Sequence, residues 1–74
     1  MDTISQSTHQ NLFGHTIRTT LVEHNQAYFV ISESNTECLI FSSDSEGKHD
    51  FVDIGSALHT ADAIRQIQNG HFLS

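Results

Sequence analysis

Only one stretch of this chain repeats its apolar residues at helical spacing, and that stretch limits what the remainder can be. In SALHTADAIRQIQNG, Ser56 to Gly70, the residues Ala57, Ala61, Ile64 and Ile67 follow one another at steps of four, three and three. They form one stripe on an α-helix. Thr60 and Ser56 are the rival N-caps, Asp62 falls in the first turn, and Gly70 after Asn69 suits a left-handed helix end. Such a helix, about ten to fourteen residues long, needs packing to be stable. Ile64, central in the stripe, is the expected core anchor.

Upstream, the pattern is that of short strands. Ile17, Thr19 and Leu21 alternate with Arg18, Thr20 and Val22 in a β-branched run, which places a first strand over His15 to Glu23. His24, Asn25 and Gln26 make a polar break suited to a hairpin turn. Strands then follow at Ala27 to Ser32 and Glu37 to Ser42. Ser43 to Gly47 is a dense turn signal, and Lys48 to Ile54 reads as a fourth strand. The expected architecture is therefore α+β, a four-stranded antiparallel meander with one C-terminal helix packed on one face, ββββα. Residues 11–74 make one small domain. Met1 to Gln10, rich in Ser, Thr and Gln with a lone Ile4, reads as a flexible N-terminal arm.

The strands AYFVIS and CLIF are apolar on both faces, while one short helix covers one face only. Tyr28, Val30, Leu39 and Phe41 are thus the candidates to line an exposed, partner-binding patch. A 74-residue chain buries only about 60% of its unfolded surface, which favours self-association. A homodimer is the expected assembly.

Nine acidic residues against Arg18, Lys48 and Arg65 give a net charge of −6. That balance disfavours direct binding to a nucleic-acid backbone, which needs a clustered basic face. It suits a basic protein surface. No stretch approaches the length of a membrane span, no signal-peptide pattern opens the chain, and the single Cys38 makes no internal disulfide. A cytoplasmic location is expected.

Motifs for chemistry are sparse. Ser42 to Asp53 sets Asp44, Glu46, Gly47 and Asp53 at positions of a calcium-loop template, but it begins with Ser42, ends with Asp53 and is flanked by strands. An acidic turn accounts for it. Six histidines, His9, His15, His24, His49, His59 and His71, lack the spacing of a zinc site; only His49, Asp50, Asp53 and His59 have a route to converge. Cys38 lies inside a strand as a small buried thiol, and the four glycines are scattered through turns and caps. No catalytic residue, metal site or cofactor is implied. The chain reads as an acidic, non-enzymatic protein-binding or regulatory module acting through an exposed sheet face or edge. The alternative is a phage or mobile-element-type inhibitor occupying a basic, nucleic-acid-binding surface of another protein. A metal-dependent or dimer-interface enzyme has the least in its favour.

Overall fold

The computed structural model describes residues 2–72. Its five strands are β1 (Asp2–Gln10), β2 (Thr16–His24), β3 (Ala27–Glu33), β4 (Cys38–Ser43) and β5 (Gly55–Ala57), followed by one helix, α1 (Thr60–Gln68). All pair antiparallel in sequence order, so the sheet is a pure meander with β1 and β5 at its edges. The expected α+β class, an antiparallel sheet with one C-terminal helix, holds. The strand count is five rather than four.

Two elements account for the difference. Asp2–Gln10, expected as an arm, pairs with β2 from Asp2↔Glu23 to Gln10↔Thr16, with a bulge between Thr3 and Ser5. Thr3 to Gln10 are all exposed, so burial does not hold the strand. Main-chain pairing does, initiated by the turn at 11–15. There the Asn11 carboxamide oxygen accepts from the amides of Phe13 and His15 at 2.9 and 3.0 Å, and Gly14 takes φ +79°. The second correction concerns Lys48 to Ile54. It is not a strand: its strand-like pairing with β4 is limited to one isolated bridge, Ser43↔His49, and the Ile54 amide donating to Ile40 O at 2.8 Å. Pairing with β4 begins only at Gly55. A Cβ at that position would lie 2.7 Å from the tip of the Phe72 ring, so the ring packs directly over Gly55 and any side chain there would displace it.

Alternation divides the side chains of the sheet. Val22, Phe29, Ile31, Cys38 and Ile40 face the helix and bury against Ala63 and Ile67, with Ala27, Ala57, Ile64 and Phe72 closing the margin. The helix stripe is therefore Ala63 and Ile67, with Ile64 half-buried and Ala61 exposed. The expected anchor, Ile64, sits on the flank. The start of the helix, rather than periodicity alone, decides this phase.

That start is held from outside the helix. His59 occupies the N-cap without a side-chain cap bond. Instead the Thr60 amide donates to Glu33 Oε1 at 2.9 Å, and the Thr60 hydroxyl donates to the same oxygen. The Glu33 carboxylate so takes the capping role expected of Thr60. At the other end Gly70 adopts φ +79° and the amides of Gly70 and His71 return to Ile67 O and Gln66 O. Between β2 and β3, Asn25 and Gln26 both have positive φ, the backbone of a tight two-residue hairpin turn.

Candidate functional site

The face opposite the helix is built by the residues that the alternation leaves over. Val30 on β3 stands opposite Leu21 on β2 and Phe41 on β4, and these three form a second buried cluster. Tyr28 and Leu39 pack against it and remain half-exposed. The four expected site residues therefore share one surface. Only two of them reach solvent to any extent: Val30 is 2% and Phe41 8% exposed, so the expected patch is smaller than four open side chains.

Its cover comes from the loop after β4. The His49 ring stacks on Phe41 with centroids 4.5 Å apart and planes at 30°. Gly47 lies over Leu21, where a Cβ would meet Leu21 Cδ2 at 3.6 Å. The loop is pinned by Asp44, whose Oδ1 accepts from the amides of Glu46 and Lys48, both at 2.9 Å. These bonds hold the Asp44 carboxyl below the usual carboxylate range, the Lys48 amide contributing most. Asp44 is thus spent on its own backbone. Tyr28 stands across the strands from Glu23, whose charge pushes the phenol above its ordinary value.

A second cluster lies where β3 ends. Glu33 holds Thr60 through Oε1, approaches His59 Nδ1 with Oε2 at 3.7 Å, and stands opposite Arg18 in the β2–β3 register. Its carboxyl is held below the ordinary range, chiefly by the Thr60 hydroxyl and then by the Thr60 amide. The site is committed to the helix start. Nearby, Thr8, Thr16, Arg18, Glu33, Ser34 and Asn35 line an open polar cleft of about 240 Å³. A wider open groove of about 510 Å³ runs between β5 and α1, lined by Leu58, Asp62, Arg65 and His71 among others. Gln66 Nε2 donates to Ser56 O at 3.1 Å there, occupying a β5 carbonyl.

Cys38 is buried, and burial, reinforced by the Glu33 and Asp62 carboxylates, pushes its thiol up, away from the reactive thiolate. Among the described residues no three His, Cys, Asp or Glu side chains stand close enough to hold one metal ion. No helix among them is long and apolar enough to cross a membrane.

Strand alternation did not signal the largest exposed apolar side chains, because they sit in connections: Leu12 and Phe13 between β1 and β2, Phe51 and Val52 between β4 and β5, and Leu58 before α1. Their sequence signal is an apolar pair inside a turn window, where solvated residues are the rule. Compared with protein-family models, with curated proteins and with solved structures, the chain matches none of them.

Proposed function

We propose that this chain is a non-enzymatic protein-binding module that engages its partner through the sheet face opposite the helix. The observation that carries this reading is the Leu21–Val30–Phe41 cluster, which lies on the side without a helix and surfaces at Tyr28 and Leu39. An aromatic and an aliphatic side chain standing half-out of a packed floor form a small anchor site with a preorganised base. Tyr28 adds a hydroxyl able to orient a partner's polar group. Photo-crosslinking from position 39, compared with position 45 on the adjacent turn, tests the reading. Partner adducts at 39 that disappear in Tyr28→Ser support it; adducts at 45 alone refute it.

The acidic balance supports a second reading, occupation of a basic surface on another protein. Of the nine acidic residues, one is Asp2 and the other eight lie at Glu23 and beyond, so the charge is concentrated in the later strands, the connections and the helix. The two readings separate by salt. Electrostatic occupation weakens steeply as ionic strength rises, whereas anchoring by Tyr28 and Leu39 persists.

A further inference from the structure

The turns 11–15 and 44–48 are built alike. In each, an Asn or Asp side-chain oxygen accepts from two backbone amides, two and four residues on, and the fourth residue is a glycine with φ near +80°. In each, the first residue's amide donates to the fifth residue's carbonyl, and the glycine amide returns to the first residue's carbonyl. The turn at 44–48 forms with Ser45 and Glu46 at its two central positions. The turn at 11–15 places Leu12 and Phe13 there, 101% and 83% exposed. The fold therefore gains nothing from them, and the rigid turn holds two large apolar side chains in water.

The hairpin that carries them is also distinct in charge and at its edge. From Thr3 to Val22 there is no acidic residue, in a chain of net charge −6, and Arg18 is the one fixed charge. The outer edge of β1 carries no proline, no lysine and no charged residue beyond Asp2, so from Ser5 to Gln10 it is open to strand pairing, the bulge at Ile4 being its one interruption. By contrast β5, the other edge, is three residues long and has one carbonyl occupied by Gln66.

We propose that β1 is the self-association edge, and that two copies pair antiparallel through it about a twofold axis, with Leu12 and Phe13 of each copy packing on Ile4 of the other. The proposal deepens the protein-binding reading by naming a second copy as a partner, and it uses a different surface from Tyr28 and Leu39. Three observations favour a second copy over other occupants. The hairpin is the acid-free region on which two acidic chains can meet without facing carboxylates. Its exposed apolar residues stand at opposite ends of β1, Ile4 at 49% exposure near the start and Leu12–Phe13 past the end. Antiparallel pairing with Thr8 on the axis, opposite the partner copy's Thr8, brings Ile4 level with Leu12 of the other copy, next to Phe13. The Ile4 bulge ends the regular ladder there and leaves that side chain to the contact.

Sedimentation velocity of the full chain, from micromolar to a tenth of millimolar and at moderate salt, tests this. The parent sediments as a concentration-dependent dimer. The double variant Leu12→Ser/Phe13→Glu copies the sister turn and keeps the fold; it raises the dissociation constant by at least about tenfold. Ser7→Lys, which sets a lysine near the axis, does the same with an unchanged circular dichroism spectrum. Tyr28→Ser and Leu39→Thr leave the dimer intact, even where they abolish binding to a different protein. A parent that stays monomeric throughout overturns the proposal, and so does a dimer lost in Leu39→Thr but kept in both hairpin variants. A monomer that cosediments with phosphatidylcholine vesicles through Leu12 and Phe13 assigns the tip to a bilayer and likewise overturns it.

Discussion

Glu33 shows how much one side chain at the end of a strand can decide. It accepts both the amide and the hydroxyl hydrogen of Thr60, so the helix begins where β3 dictates. Replacing it by Ala should cost about 1 kcal/mol at neutral pH, the usual loss for a helix cap, measured by urea denaturation. The pH dependence follows from the direction of its shift. A carboxyl held below its unfolded value binds fewer protons when folded, so its contribution is complete above the unfolded range, about 4.3, and disappears as pH falls through the lower folded value. Between about pH 5 and pH 3 the parent should lose stability more steeply than Glu33→Ala. A parallel decline in the two proteins would place the capping elsewhere. Thr20 offers a second residue-scale test: its buried hydroxyl accepts from Gln6 Nε2 at 3.2 Å, and Gln6→Ala should cost about 1 kcal/mol.

Among the elements, the helix makes the sharpest test, because periodicity and packing order its residues differently. Ile67 is buried and Ile64 half-buried, so Ile67→Ala should destabilise by about 2 to 5 kcal/mol and Ile64→Ala by less. Thermal melts of the two variants check the order; the reverse order would return the helix to the phase read from spacing alone. The contrast explains what the sequence made legible. The central strands, the Asn25 turn, the helix and its Gly70 end were readable because each has a local signature. The two faces of AYFVIS and CLIF were readable from alternation. β1 was not, since a Ser- and Thr-rich strand that buries nothing is recognised only through its turn chemistry, Asn11 and Gly14. Nor was β5, a three-residue strand whose glycine lies under the Phe72 ring. Tyr28, Val30, Leu39 and Phe41 share one face, as alternation implies, but the cover provided by His49 and Gly47 is a tertiary contact with no trace in periodicity.

For the whole molecule, charge is the strongest global quantity. With a net charge of −6 and only three cationic side chains, repulsion opposes compaction at low ionic strength. The ion pairs that relieve it are surface ones, Lys48 with Glu46 at 3.7 Å and Arg65 with Asp62 at 3.3 Å, and contribute little. Raising sodium chloride from about 10 mM to physiological strength shortens the screening length from about 30 to 8 Å, and should raise the urea midpoint. A midpoint that falls with salt would mean that the surface pairs outweigh the repulsion.

The strictly sequential order of the sheet also bears on the route by which the chain acquires it. Each strand meets its own neighbour in sequence, so hairpins can add one after another with short loops to close, a topology that favours rapid folding for a sheet protein. The Glu33–Thr60 tether spans 27 residues and joins the helix to a strand three elements earlier. From that separation it is expected to form last, as α1 docks on a sheet already formed. Removing that carboxylate should therefore leave the refolding arm of a chevron almost unchanged and steepen the escape from the native state, with the helix amides opening to solvent exchange before those of β2 and β3.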